Sequence, residues 1–431
     1  MPAVTTPSTR LTSNQIRGFW AAWGGWALDG MDSFIYALVL TPAITELLPH
    51  SGIPATPANV VYYGSVLLAL FMIGWGLSML WGPLADRFGR VRTLMLTILC
   101  YSIFTFLGAL VTSMWQLAAC RLLAGVGIGG EWSMGGTFVA EEWPEDRRKM
   151  GAGYMHTGYY FGFFLAALAN YFIGAQYGWR MMFAFGGLPA LLVSFIRYGV
   201  RESARWEARI IEARHRPTMA QAFAALFSNE YARRTILNSL FLLVSVIGLW
   251  AGSVYVPTSV TQLAVRAGYS AADGARLASY GTMVLSVGTI LGCVALPPLA
   301  ERYGRRATLG IYFFLMFVSI AVGFGYVFYL QENALPWFFV VLFLLGVGGA
   351  NFAMYTLWLP EQYSTECRAS AFAFATSVGR FVGAGITFLV GAGVTRYGSI
   401  GTPVALTSIA FLIGILLLPF GEETRGKTLP A

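Results

Sequence analysis

The sequence predicts an all-α membrane protein in which twelve transmembrane helices form two six-helix pseudo-repeats. Of its 431 residues, 57% are apolar and only 11% are charged. Water-soluble domains carry about 25% charged residues, so this chain lacks the polar surface that a soluble fold of its size needs. The composition therefore excludes a soluble enzyme and a disordered regulator. Four scattered cysteines without metal or redox spacing also exclude a disulfide-rich secreted domain.

Twelve stretches of the chain approach the length of about 20 largely apolar residues that a helix needs to cross a bilayer. They are residues 18–40, 60–81, 93–111, 117–139, 151–173, 181–200, 236–263, 277–299, 309–330, 337–358, 371–394 and 404–420. The first 17 residues are too polar for the apolar core of a signal peptide, so we expect the first span to be retained.

The basic residues predict how these spans are oriented. With the N-terminus in the cytoplasm, 22 of the 28 Lys and Arg residues fall in cytoplasmic segments. The exceptions are Arg180, Arg266, Arg276 and Arg396 on the outside, and Arg121 and Arg380 within spans. Since cytoplasmic loops are enriched in basic residues, we expect a multi-pass protein of the inner or plasma membrane with both termini in the cytoplasm. Basic residues in short bursts between spans do not indicate nucleic-acid binding, despite a net charge of +8.

An internal repeat divides the chain into two halves. The sequence PLADRFGR at 83–90 recurs as PLAERYGR at 298–305, and EEW at 141–143 recurs as EQY at 361–363. Two similar halves are typical of secondary transporters, in which the substrate site lies between them near the midplane. The predicted segments are an N-terminal tail (1–17), a six-helix bundle (18–200), a cytoplasmic central loop (201–234), a second six-helix bundle (235–420) and a C-terminal tail (421–431).

Several motifs resemble those of the major facilitator superfamily over essentially the whole chain. Residues 82–90 (GPLADRFGR) match its G-x-L-a-D-r-x-G-r loop. The sequences ESARW at 202–206 and ETRGKTL at 423–429 are similar to motifs of sugar porters, although ESARW lacks both of their prolines. Three further motifs look most like the sialate:proton symporter family, which also includes lactate and pyruvate carriers: DGMD at 29–32, GIGGEW at 127–132 and GR at 379–380.

The resemblance implies the major facilitator fold and proton-coupled symport by rocker-switch alternating access, without a cofactor or a metal. We expect a monomer that takes up a small organic anion, such as the monocarboxylates lactate or pyruvate, together with protons. Import of sialic acid, an aromatic acid or a sugar remains an alternative, although residues 237–241 lack the paired glutamines of sugar porters. Drug efflux and a non-transporting membrane sensor are less favoured. No nucleophile–base or metal-ligand pattern indicates an enzyme.

Charged side chains inside the spans are the candidate proton-coupling residues, because a charge at the centre of a membrane helix costs at least about 2.5–3.5 kcal/mol. Helix geometry places Asp32 about 3 Å and Arg121 about 9 Å outside the midplane, so the long Arg121 side chain reaches Asp32. Protonation of Asp32 would break this pair, which sugar-porter relatives also carry; the alternative is a fixed structural salt bridge. Asp29 lies on the same helical face as Asp32, and we expect it to share the proton that Asp32 carries. Glu131 is expected to relay the proton inward or to bind a partner such as Asn351 or His156; the alternative is that it locks helices together in the cytoplasmic half.

Arg380 is the candidate substrate-binding residue, because it lies almost at the midplane and spans seven to twelve contain no acid to neutralise it. A planar guanidinium suits a bidentate carboxylate. The alternative is a gating pair with Asp29 or Glu131.

Three polar residues are expected to complete the anion site. Asn351 and Tyr355 share one face of the tenth span, and Tyr159 lies on the fifth. His156 is interpreted as a helix-contact residue in preference to a proton relay.

The charged loop motifs predict gating clusters that hold the cytoplasmic side shut. Because an exposed ion pair contributes only about 0–1 kcal/mol, such a gate needs a network of pairs. The candidates in the first half are Asp86, Arg87, Arg90, Glu142, Arg147 and Arg148, and those in the second are Glu301, Arg302, Arg305, Glu361 and Arg368.

Overall fold

The computed structural model describes residues 11–145, 147–203, 206–208, 218–252 and 254–430, which are helical almost throughout. Parts of all five predicted segments lie outside the described residues. These are residues 1–10 of the N-terminal tail, residue 146 of the first bundle, residues 204–205 and 209–217 of the central loop, including Arg205 of the ESARW motif, residue 253 of the second bundle, and residue 431 of the C-terminal tail.

The first half of the described chain contains eight α-helices. They are α1 (Ser13–His50), α2 (Pro57–Leu77), α3 (Trp81–Phe88), α4 (Arg90–Gly108), α5 (Met114–Glu142), α6 (Arg148–Ala169), α7 (Ala175–Phe185) and α8 (Ala190–Gly199). Helix α1 begins with a capping box between Thr12 and Gln15, and α5 begins with one between Ser113 and Gln116. These caps satisfy backbone N–H groups that the first turn of a helix leaves unpaired.

The rest of the described chain contains ten more α-helices. They are α9 (Met219–Leu226), α10 (Ala232–Gly252), α11 (Val256–Arg266), α12 (Ala271–Tyr303), α13 (Arg305–Gly325), α14 (Ala334–Gly349), α15 (Asn351–Trp358), α16 (Arg368–Tyr397), α17 (Gly401–Leu406) and α18 (Ile409–Leu417).

The described helices overlap all twelve predicted spans, but α1 is longer than its predicted span of 18–40. Nine helical stretches in the described ranges are long and apolar enough to cross a membrane by length and composition. The predicted spans 117–139, 151–173 and 181–200 are not among them. The first carries Arg121 and Glu131, and the third is broken into α7 and α8.

Glycines allow α1 and α6 to approach each other closely. A Cβ atom at Gly162 would lie 1.9 Å from the carbonyl oxygen of Ala27, and one at Gly30 would lie 2.0 Å from that of Tyr159. Such distances leave no room for a side chain, so the backbones are in direct contact. This contact holds the DGMD segment of α1 against α6.

The two halves of the chain meet along two helix pairs. Helix α6 packs on α12, and α2 packs on α16. We call the end of the bundle that holds residues 86–90 and 301–305 the motif end. The opposite end, where Ser51 accepts a hydrogen bond from the backbone N–H of Met114 (2.8 Å), is called the far end.

Candidate functional site

Five charged side chains are buried in the middle of the helical bundle. Asp29, Asp32 and Glu131 are fully buried, and Arg121 and Arg380 are each only 1% exposed. These are the five intramembrane charges that the sequence analysis selects. Because a buried charge is costly without compensation, the partners of each one determine what it can do.

Asp32 on α1 and Arg121 on α5 form an ion pair with 3.7 Å between Oδ2 and Nη1. The guanidinium lies between two aromatic rings, 4.2 Å from the centre of Tyr36 and 4.3 Å from that of Phe71. None of its nitrogens has a hydrogen-bond partner among the described residues. Charge attraction and contact with the rings therefore hold Arg121, in a pair that a proton on Asp32 would weaken.

Asp29 and Glu131 lie close to this pair without hydrogen-bond partners in the described part of the chain. The charges that act most strongly on Asp29 are those of Glu131, Asp32 and Arg380. Glu131 packs against α1 so closely that a Cβ at Gly25 would lie 1.5 Å from its Oε1. The structure thus places Glu131 against α1, and not in a hydrogen bond with the expected partners on other helices.

Arg380 on α16 lies at a cavity between the two halves. Its guanidinium carbon is 3.7 Å from the centre of the Trp75 ring. Its Nε and Nη1 atoms have no hydrogen-bond partner, and no carboxylate of the described residues lies within salt-bridge distance. Of the two buried cations, Arg121 pairs with Asp32, whereas Arg380 has no close counter-ion among the residues that the structure describes.

Aromatic rings form most of the wall of this cavity. Trp26 stacks on Tyr159 at 4.6 Å and on Trp132 at 5.4 Å between ring centres. The other lining residues are Trp75, His156, Tyr160, Leu249, Phe352 and Arg380. The cavity has a volume of about 10 Å³, which is room for about one water molecule, so a larger ligand requires its walls to move apart.

The predicted substrate-binding residues occupy different positions around this site. Tyr159 lines the cavity of Arg380, and Asn351 lines a neighbouring one. The Tyr355 hydroxyl instead bonds to the Phe241 carbonyl and to the Ser245 hydroxyl, both at 2.8 Å on α10. Tyr355 therefore joins α15 to α10, and it is absent from the residues that line the described cavities.

A buried ionic cluster closes the motif end of the first half. Arg90 donates two hydrogen bonds to the Glu141 carboxylate (3.2 and 3.0 Å) and one to the Ala85 carbonyl (3.0 Å), and it pairs with Asp86 (3.0 Å). The Glu202 carboxylate accepts from the backbone N–H of Arg90 at 2.8 Å. Burial raises the pKa of the Glu202 carboxyl, while the backbone N–H groups of Arg90, Val91 and Ser203 oppose that effect by donating to the carboxylate.

The second half repeats this arrangement at equivalent positions. Arg305 donates two hydrogen bonds to the Glu361 carboxylate (3.0 and 2.9 Å) and one to the Ala300 carbonyl (3.0 Å). The Glu423 carboxylate accepts from the backbone N–H of Arg305 at 3.0 Å. The internal repeat of the sequence thus corresponds to a repeated cluster in the structure.

Each cluster also receives an arginine from the opposite half. Arg368 donates to Glu141 (3.2 Å), and Arg148 lies 3.5 Å from Glu361. Asp86 accepts hydrogen bonds from the backbone N–H (3.0 Å) and the hydroxyl (2.5 Å) of Ser370 at the start of α16. These contacts join the two halves at the motif end and keep them together in this conformation.

The remaining predicted gating residues lie outside these buried contacts or at their edge. Arg87 and Arg302 are exposed, and each lies over the neighbouring ring of its own helix at 5.3 Å. Glu301 is half-buried and pairs with Lys149 across the halves at 2.9 Å. Glu142 accepts a hydrogen bond from Gln15 through its backbone carbonyl (2.5 Å), and Arg147 is the N-cap residue of α6.

The far end contains a larger cavity of about 270 Å³ between the two halves. It is lined by Ser33, Tyr36, Ala37, Leu40, Thr41, Val60, Gly64, Ser65, Leu68, Val254, Tyr255, Thr258, Gln262, Gly391, Val394 and Ile400. Tyr36 thus borders this cavity and also covers Arg121. The protein is closed by ionic contacts at the motif end and hollow at the far end.

The sequence profile of the Major Facilitator Superfamily matches residues 22–384. The chain belongs to the Major Facilitator Superfamily. Among its relatives is the "Probable 4-methylmuconolactone transporter" of Cupriavidus pinatubonensis, 32% identical over 96% of this chain and 91% of that protein. The "Niacin transporter NiaP" of Acinetobacter baylyi is 28% identical over 95% and 94% of the two chains. The "Sialic acid transporter NanX" of Escherichia coli is 24% identical over 96% and 95%.

Solved structures of the Major Facilitator Superfamily share the fold. The proton:xylose symporter XylE bound to 6-bromo-6-deoxy-D-glucose has a TM-score of 0.76 at 18% identity, covering 97% of this chain and 98% of that one. The human organic anion transporter MFSD10 has a TM-score of 0.72 at 17% identity, covering 94% and 99%. This chain is therefore a multi-pass membrane transporter and not an enzyme, and its twelve predicted spans agree with the fold.

Several residues that form the site of this Major Facilitator protein were not predicted from the sequence. Glu141, and not its neighbour Glu142, is the acceptor for Arg90 and Arg368. The rings of Trp26, Trp132 and Phe352 line the cavity of Arg380. Two of them carried a usable signal, because Trp26 is three residues before Asp29 and Trp132 follows Glu131 directly.

We predict that Glu141→Gln opens the motif end. Loss of one partner from a buried ion pair costs about 3–5 kcal/mol, and here two arginines, one in each half, lose their shared counter-ion. Spin labels at Phe88→Cys and Tyr303→Cys, both exposed positions, in a variant without native cysteines measure the distance between the halves. We expect Glu141→Gln to add a population with a longer distance.

The control for this experiment is Glu207→Gln, which changes an exposed carboxylate beyond α8. It is expected to leave the distance distribution of the parent unchanged. A Glu141→Gln distribution identical to that of the parent would contradict the gating role of the cluster.

Proposed function

We propose that this protein takes up a small organic anion together with protons, and that Arg380 binds the carboxylate of the substrate. The observation that supports this most directly is the position of Arg380. It is a buried cation at a cavity between the halves, with no close carboxylate among the described residues. A bound carboxylate would supply the missing counter-ion and accept hydrogen bonds from Nε and Nη1.

The wall of the cavity favours a flat, unsaturated carboxylate among the organic anions. Stacked rings such as Trp26, Tyr159 and Trp132 offer π faces, which suit a planar ring better than lactate or pyruvate. The names of two relatives refer to 4-methylmuconolactone and niacin, which are unsaturated ring compounds. We therefore place an aromatic or similarly planar acid ahead of the monocarboxylates lactate and pyruvate. A sugar is disfavoured, because no amide side chain lines the described cavity of Arg380.

The Asp32–Arg121 pair is the proposed proton-coupling device. The charged and titratable groups that act on the pair are Asp29 and Tyr36 from α1, Tyr101 from α4, Cys120 from α5 and Tyr159 from α6. Glu131 in turn acts on Asp29. A proton on Asp32 removes the charge that holds Arg121, while Asp29 and Glu131 are placed to accept a proton next to the cavity of Arg380. Proton binding and the position of Arg121 are thereby linked.

Alternating access is proposed to use the two ends of the bundle. The motif end faces the cytoplasm in this proposal, because most Lys and Arg residues lie on that side of the spans. The buried clusters around Glu141 and Glu361 close that side, while the 270 Å³ cavity at the far end receives substrate and protons. Breaking the contacts between the halves then opens the substrate site to the cytoplasmic side of the inner membrane.

We predict that Asp32→Asn uncouples transport from the proton gradient. In liposomes, the parent accumulates labelled benzoate when an inward proton gradient is imposed. Asp32→Asn is expected to lose this accumulation and to retain exchange of benzoate for benzoate, because the substrate site around Arg380 is unchanged. Retained exchange also shows that the variant is folded.

The matched control is Asp273→Asn, which removes an exposed carboxylate that pairs with Arg276 at the surface. It is expected to accumulate benzoate as the parent does. If Asp32→Asn accumulates benzoate against its gradient as well as this control, Asp32 does not couple the proton.

We predict that Arg380→Gln weakens benzoate binding by at least about tenfold, since hydrogen bonds to a charged group contribute about 1.5–3 kcal/mol. The shift of melting temperature with benzoate concentration measures this affinity, because a ligand that binds the folded state stabilises it. Arg396→Gln changes an exposed arginine on the same helix and is expected to bind benzoate like the parent. Equal affinity of both variants would exclude Arg380 as the carboxylate ligand.

A further inference from the structure

His156 on α6 has a buried imidazole that neither the ionic clusters nor the proton-coupling pair uses. The residue is 1% exposed, and neither ring nitrogen has a hydrogen-bond partner among the described residues. A buried polar atom without a partner loses the free energy of its hydrogen bonds to water. We therefore expect a molecule bound in the cavity to supply the missing hydrogen bond to this imidazole.

The ring of His156 lies in the wall of the cavity that also contains Arg380. Its centre is 5.3 Å from that of Trp132 and 5.8 Å from that of Trp26. The ring of Phe352 is nearly parallel to it, at an interplanar angle of 3° and 6.2 Å. A phenylalanine would satisfy these ring contacts equally well, so packing alone does not account for the two nitrogens.

We propose that His156 determines substrate specificity by hydrogen bonding to a second polar group of the substrate, while Arg380 holds the carboxylate. This inference rests on the proposed function, in which a flat carboxylate occupies this cavity. A neutral imidazole carries one N–H donor and one acceptor nitrogen. It therefore accommodates a ring hydroxyl, a ring carbonyl or a ring nitrogen.

Two-point recognition has a specific consequence for the choice of substrate. A planar acid with only a carboxylate leaves the His156 nitrogens unpaired, whereas an acid with a further polar group on its ring pairs them. A site that expects a hydrogen bond discriminates against an analogue that lacks it, because the buried group of the protein stays unsatisfied. The protein is thus expected to prefer bifunctional ring acids over benzoate.

Affinities of the purified full-length protein for four acids test this inference. The acids are benzoate and three analogues with one additional polar group, namely 4-hydroxybenzoate (a hydroxyl), nicotinate (a ring nitrogen) and 2-pyrone-5-carboxylate (a lactone carbonyl). At least one analogue is expected to bind the parent about tenfold more tightly than benzoate. His156→Phe should lose this preference while still binding benzoate, and that binding also shows that the variant is folded.

Two further variants complete the test. His156→Gln keeps a donor and an acceptor and should retain part of the preference, and His50→Phe replaces an exposed histidine at the far end and should retain all of it. The inference is overturned if the parent does not distinguish any analogue from benzoate, or if His156→Phe keeps the preference. Failure of the parent to bind any of the four acids would overturn the proposed function as well.

Discussion

The structure depends on one constraint, which is the free energy of keeping charges in an apolar interior. Each buried charge needs a partner, and the five near the middle of the bundle are compensated to different degrees. Asp32 and Arg121 compensate each other at 3.7 Å. Arg380 has aromatic contact with Trp75 but no close anion within the described chain. This difference is the basis of the proposal that the Asp32–Arg121 pair responds to a proton and Arg380 to an anion.

The same constraint explains why the motif end closes as it does. Glu141 and Glu361 each lie between an arginine of their own half and one of the opposite half. Separating the halves removes the second arginine from each carboxylate, and water then replaces it. In the proposed alternating access, closure is reversible because the charges exchange protein partners for solvent. The pseudo-symmetry of the two clusters follows from the internal repeat of the chain.

The contact between Asp32 and Arg121 could be predicted from the sequence, because helix rise sets depth and an intramembrane charge needs a partner. The repeated clusters could also be placed from the PLADRFGR and PLAERYGR segments. The choice between Glu141 and Glu142 could not, because adjacent residues on a helix differ by about 100° in direction and only packing shows which one faces Arg90.

Most of the aromatic wall around Arg380 could also not be predicted from the sequence. With 15% aromatic residues spread over the chain, no periodicity distinguishes Phe352 from rings that face lipid, and only the proximity of Trp26 and Trp132 to Asp29 and Glu131 marks those two rings. Tyr355 shares a helical face with Asn351, yet its hydroxyl is used by α10. Such assignments depend on contacts between distant helices, and these are set by the tertiary fold.

A structure of the protein with benzoate bound tests the central claim most directly. The position of the ligand carboxylate relative to the Arg380 guanidinium is the quantity to measure. We expect two carboxylate oxygens within hydrogen-bond distance of the guanidinium nitrogens, and the ring of benzoate against the aromatic wall of the cavity. A benzoate bound elsewhere, with Arg380 paired to Asp29 or Glu131, would contradict the claim that the substrate is the counter-ion of Arg380.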